Sequence, residues 1–271
     1  HAKAYTLNKR IDFKAATDIN KIRLNSFADF WNVKYKYHSY LEMIKNQKLD
    51  IISICTPPIG RFEMIQQLVE HGIKLIFCEN SKEALSIFEY CKNNNVKIAV
   101  NYKRRWDPFH RELKQIIEEK SYGNFDAFYC NYVRGIENYG THIIDLIHFW
   151  FGQINWVWAN NRLCEKVNDP SFDSYILTKS GIGCHLIASN RNNYDLFDYT
   201  LIFENKKIEF HREGFESKHY ELVKNPDYED LPIFQYCKTN HHMFNTINAT
   251  LDQLLNCFDI EQEPYCNGYD G

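Results

Sequence analysis

Three short apolar runs do most to limit what this chain can fold into: Asp50–Thr56 (DIISICT), Lys74–Glu79 (KLIFCE) and Lys97–Tyr102 (KIAVNY). Nearly every position in them is apolar, rather than every second one, which is the pattern of strands buried on both faces. Helical spacing fills the gaps, over Arg61–His71, stopped by Gly72, and over Ser81–Asn93. Upstream, Ile11–Asp18 and Val33–Tyr37 read as strands. Asn20–Trp31 and Ser39–Asn46 read as helices, with Ser39 as an N-cap. Strands alternating with helices predict a doubly wound parallel sheet with right-handed crossovers, placed here in residues 1–102.

After Tyr102 the rhythm changes. A helix over Pro108–Lys120 and a strand over Phe125–Gly135 lead to a second helix over 140–152. Short strands follow at Trp156–Arg162, Ser174–Lys179, Gly183–Asn190, Tyr199–Glu204 and Lys207–Arg212, and a last helix spans about His241–Phe258. Alternation within several of them predicts an antiparallel sheet in an α+β domain over residues 103–271.

The length of 271 residues suffices for two domains. The net charge of −3, from 32 basic and 35 acidic residues, leaves no electrostatic footprint for nucleic acid or an anionic membrane. Nine cysteines without CxxC spacing point to a reduced, cytoplasmic protein with no metal site. No signal peptide or long apolar span is recognised, so neither secretion nor membrane insertion is expected.

Residues 140–152 carry the chemistry. His142, Asp145 and His148 recur every third position on a helix whose other side chains are nearly all large and apolar. Ionisable groups on a buried helix are costly unless they serve a wet or cofactor-filled cleft, or satisfy one another as a structural network. As metal ligands the three are poorly placed, since i, i+3, i+6 drifts about 120° around a helix.

Ligands of a doubly wound sheet bind outside the carboxyl ends of its strands. The candidates there are Asp18, Thr56, Pro57, Pro58, Glu79 and Asn101. An acidic residue about 20 positions after a glycine-rich loop holds an adenosine ribose and repels a 2′-phosphate, so Asp18 favours NAD over NADP. Used instead as a helix cap, Asp18 would be purely structural. No GxGxxG occurs, and His1–Leu7 reads like the middle of the helix that follows such a loop. A preceding strand and phosphate loop are therefore expected upstream of His1.

In their order, Asp18, Asp50–Pro58, Phe77-Cys78-Glu79, Asn101–Pro108, Gly140–Gly152 and Pro264–Gly271 resemble the Gfo/Idh/MocA family, which includes glucose–fructose oxidoreductase and inositol dehydrogenases. The resemblance implies a Rossmann-type domain followed by an α/β domain with an open, mainly antiparallel sheet, a nicotinamide cofactor, a sugar or cyclitol substrate, and pairing of subunits through the outer face of the second sheet as a homodimer or homotetramer. The chain departs from the family at Glu79. The family's Glu-Lys-Pro, whose lysine assists catalysis, is replaced by Glu79-Asn80-Ser81, and the loop is several residues short. Either the lysine is lost or a stretch of chain is missing there, and the second is expected.

The function that follows is hydride transfer between nicotinamide and a secondary alcohol. His148 would be the base, Asp145 its orienting neighbour and His142 a substrate ligand or alternative base. Arg104 or Arg105 would hold an anionic substrate, and Trp106 would stack on a sugar ring or belong to the core. The alternatives are a non-catalytic Rossmann-fold sensor that binds a nucleotide or sugar, and a structural subunit.

Overall fold

A computed structural model describes the chain except residues 58, 80–82, 166, 191–193, 229–230, 243–245, 261, 268, 270 and 271. The chain divides into two compact units, His1–Trp106 with Asn245–Gly271, and Asp107–Phe244. The sequence division at Tyr102 assigned everything beyond it to the second domain. By contact, Lys103–Trp106 and the C-terminal segment join the first unit instead.

The first unit runs α1 (Ala2–Leu7), β1 (Ala15–Thr17), α2 (Lys21–Trp31), β2 (Tyr35–Tyr37), α3 (Tyr40–Asn46), β3 (Ile51–Ile54), α4 (Arg61–Glu70), β4 (Leu75–Cys78), α5 (Ala84–Asn93) and β5 (Lys97–Val100). Among the described residues these strands pair in parallel, but they form two sheets, β1-β2 and β3-β4-β5, rather than one. All four residues of β4 are buried. Ile76 and Cys78 pack with Ile65 and Leu68 of α4 and Ile87 and Cys91 of α5. Leu75 and Phe77, on the opposite face, pack with Val100, Trp106, Leu254 and Cys266. The continuous apolar run is thus explained by burial on both faces, each large side chain contributing about 1.5–3 kcal/mol.

The second unit contains α6 (Pro108–Glu119), β6 (Phe125–Tyr132), α7 (Thr141–Phe151) and β7 (Ile154–Asn160). It continues with β8 (Asp173–Thr178), β9 (Gly183–Ala188), β10 (Phe197–Phe203), β11 (Lys206–His211), β12 (Glu216–Val223) and β13 (Ile233–His241). Its eight strands lie in the order β13-β12-β11-β10-β6-β9-β8-β7. Only the β6–β9 pair is parallel, so the expected open, mainly antiparallel sheet holds. Alternate residues such as Phe128, Leu186, Leu201 and Phe210 form its inner face and pack with Ile143, Leu146, Ile147 and Trp150 of α7. Trp156 and Trp158 on edge strand β7 are half exposed.

α8 (Thr246–Ile260) starts later than the sequence suggested, because β13 occupies residues up to His241. Its Leu251, Leu254 and Leu255 are buried with residues of the first unit, which is why the C-terminal segment belongs there. Among the described residues no helix is long and apolar enough to cross a membrane. Among the described residues no cysteine forms a disulfide.

Candidate active site

The carboxyl ends of β3, β4 and β5 carry Thr56, Glu79 and Asn101. Thr56 and Pro57 are exposed, and Pro58 lies outside the described residues. The Asn101 backbone N–H donates to the Cys78 carbonyl at 2.8 Å, extending the ladder by one residue. Its side-chain Nδ2 donates to Glu79 Oε1 at 3.0 Å. A carboxylate only accepts, so the amide nitrogen must face Glu79 and Oδ1 must face away. That Oδ1 is buried and has no hydrogen-bond partner among the described residues. An acceptor left in this state calls for a donor from outside, and a carboxamide N–H would serve.

Asp18 lies just beyond β1. Its Oδ1 accepts the Asn20 N–H at 2.7 Å, and its Oδ2 lies 3.6 Å from Arg23 Nε. Asn20, not Asp18, caps α2, accepting the N–H groups of Ile22 and Arg23 at 3.0 Å each. The capping role weighed for Asp18 therefore falls to its neighbour.

Lys103–Trp106 form one tight helical turn. Trp106 is only 3% exposed and sits in the cluster with Phe77, Tyr102 and Leu254. Stacking on a sugar ring is ruled out by that burial, and Trp106 is core. Arg104 and Arg105 are also buried, and neither is free.

In the second unit, Asp169 and Gly135 set the entry to α7. The Asp169 carboxylate accepts the N–H groups of Glu137 at 2.8 Å and Asn138 at 3.1 Å. Gly135 has φ +86°, and a Cβ there would lie 2.2 Å from Asp169 Oδ2, so only glycine fits. The helix that follows presents Asp145 buried at 5% exposure, with His142 and His148 half-buried one turn to either side. The stripe is real, but Asp145 and His148 are not bonded to each other among the described residues.

A buried polar group missed by sequence reasoning lies between α6 and β10. Asp107 Oδ2 accepts both the His110 backbone N–H and its Nδ1–H, and the Tyr199 hydroxyl meets His110 Nε2. The imidazole ring is parallel to Trp150 of α7, whose indole N–H donates to the His110 carbonyl at 2.8 Å. The local signal was the Asp-Pro-x-His spacing, in which an N-cap acid faces a residue three positions on. Nearby, Ser217 Oγ lies 2.8 Å from His219 Nε2 and 2.6 Å from His242 Nε2. Burial, and then Lys238, Lys206 and His242, push the His219 imidazole down to about 4. His242 is lowered too, chiefly by burial.

Residues 1–102 match the model of an oxidoreductase family with an NAD-binding Rossmann fold, Gfo/Idh/MocA. This part of the chain is similar to that family. The uncharacterized oxidoreductase YrbE of Bacillus subtilis is 30% identical over 118 residues, covering 41% of this chain and 33% of YrbE. The D-apiose dehydrogenase of Paraburkholderia graminis is 21% identical over 213 residues, covering 69% of this chain and 57% of that enzyme. The chain thus spans between a third and somewhat over half of these relatives. The WlbA dehydrogenase of Bordetella pertussis, solved with NADH and UDP-GlcNAcA, superposes with a TM-score of 0.78 at 14% identity. The match covers 100% of this chain and 87% of WlbA, so the whole chain shares the fold of that protein.

Proposed function

We propose that the protein is an NAD-dependent oxidoreductase that transfers a hydride between a secondary alcohol of a sugar, cyclitol or sugar derivative and nicotinamide. The observation that carries this reading is the α7 stripe, with a buried acid between two half-buried imidazoles on an otherwise apolar helix. It occurs in a chain whose first 102 residues match an NAD-binding family.

Thr56, Glu79 and Asn101 would hold the cofactor at the strand ends, and the buried Asn101 Oδ1 fits a carboxamide donor. Asp18 would take the ribose hydroxyls, favouring NAD. The cofactor supplies the hydride acceptor or donor, and the chain supplies binding and proton transfer. His148, whose ring is not tied to another described side chain, would take the alcohol proton at an imidazole nitrogen. Asp145 and His142 would hold substrate hydroxyls. WlbA, solved with a nucleotide-linked sugar, supports a sugar derivative among the substrates. The half-exposed Trp156 and Trp158 support assembly of like subunits through the outer sheet face.

Titration of the full-length protein with NAD and NADH, followed by turnover on a panel of sugars, cyclitols and nucleotide-linked sugars, tests the reading. Nucleotide binding with reduction of NAD by one of these classes is expected. Binding without turnover on any of them favours the sensor, and no binding of either nucleotide overturns the enzyme reading and favours the structural subunit.

A further inference from the structure

Arg61 stands at the first position of α4, where a charged side chain would ordinarily point into water, yet it is 1% exposed. Gly60 makes this possible. Its φ of +69° is a left-handed conformation that other residues adopt only under strain, and the turn sends Arg61 back beneath the strand ends. There Nη1 donates to the Glu79 carbonyl at 2.6 Å and Nη2 donates to the Thr56 carbonyl at 2.5 Å.

A buried guanidinium is expensive to desolvate and is retained where its rigid fork does something a simpler group cannot. Here the fork spans two carbonyls that follow two different strands, β3 and β4. The Glu79 side chain then receives Asn101 from the end of β5. Thr56, Arg61, Glu79 and Asn101 form one chain of contacts across three successive strand ends, all within the first unit.

We propose that Arg61 is a positioning residue of the dinucleotide site. It fixes the spacing of Thr56 and Glu79, and through Glu79 it aims the unpartnered Asn101 Oδ1 at the nicotinamide end of the cofactor. The inference rests on the nicotinamide-cofactor reading above. A purely structural Arg61 would only hold α4 on the sheet, and its loss would weaken every part of the site alike. A positioning Arg61 acts on one end of the cofactor, because Asp18, at the other end, is held by the Asn20 N–H and lies beside Arg23.

The test uses full-length protein with Arg61→Lys and Arg61→Met. NADH affinity is measured by fluorescence, AMP affinity by saturation-transfer NMR, and folding by circular dichroism. The lysine variant keeps the buried charge but cannot span both carbonyls, and it guards against the methionine variant failing to fold. In a folded variant NADH affinity is expected to fall by about tenfold or more while AMP affinity stays within about twofold. Unchanged NADH affinity in folded Arg61→Lys overturns the proposal, as does an equal loss for NADH and AMP. If the wild-type protein binds no NADH, the cofactor reading falls and takes this inference with it. If the wild type binds NADH and the variants do so equally, the inference alone falls.

Discussion

Asp107 Oδ2 lies 2.7 Å from His110 Nδ1 and also accepts the His110 backbone N–H at 3.1 Å. One carboxylate therefore caps α6 and fixes an imidazole tautomer, leaving His110 Nε2 to accept from Tyr199. Asp107→Ala removes the cap and strands a buried donor, and it is expected to cost about 2–4 kcal/mol. Tyr199→Phe removes the hydroxyl that meets His110 Nε2 and is expected to cost about 1–3 kcal/mol. Urea unfolding measures both, and a cost well under 1 kcal/mol for Asp107→Ala would contradict the shared role.

Acid is expected to weaken the second unit through His219. Its imidazole is held at about 4 in the fold, below its ordinary value, by burial and by Lys238, Lys206 and His242, with Glu221 opposing. The unfolded chain binds a proton there first. The contribution is therefore complete above about pH 6.5 and is lost as pH falls toward 4, at up to about 1.4 kcal/mol per pH unit. His242 shifts in the same direction and steepens the fall. Unfolding curves at several pH values are expected to show this slope, and a flatter one in His219→Gln. An identical slope in that variant would assign the acid sensitivity elsewhere.

These groups also mark where the sequence stopped being readable. The runs Asp50–Thr56, Lys74–Glu79 and Lys97–Tyr102 became β3, β4 and β5 because burial on both faces leaves a continuous apolar signal. The helix over 140–152 was legible because its polar residues fall in one stripe. β12 was not, since its inward positions hold Ser217 and His219 rather than apolar residues, which erases the alternation. β13 is an edge strand with little burial on either face and so leaves almost no pattern. The His110–Tyr199 contact joins residues 89 positions apart, with nothing local to announce it. Arg61 reads as an ordinary surface charge until the Gly60 turn is known.

Cofactor choice is expected to hinge on Asp18, with Arg23 3.6 Å away. Asp18→Ser removes the charge that would repel a 2′-phosphate and leaves Arg23 free to meet one. The hydroxyl can still accept the Asn20 N–H. The ratio of kcat/KM for NADP over NAD is expected to rise by about tenfold or more, roughly the worth of one charge-assisted contact. Steady-state kinetics with both cofactors check it, and an unchanged ratio would place specificity elsewhere.

The core assignment of Trp106 predicts a loss of stability rather than of substrate affinity. Trp106→Ala is expected to lower stability by about 3–5 kcal/mol. Trp106→Phe, which keeps most of the volume, is expected to leave the KM for sugar unchanged. A KM rising severalfold with stability intact would restore the stacking role.

The most direct measurement is single-turnover reduction of NAD by wild-type protein and by His148→Asn, followed by nicotinamide absorbance with NADH affinity measured alongside. With His148 as the base, the rate is expected to fall by about a hundredfold or more while NADH affinity is unchanged. A near-normal rate in His148→Asn would contradict the assignment of proton transfer to the α7 stripe.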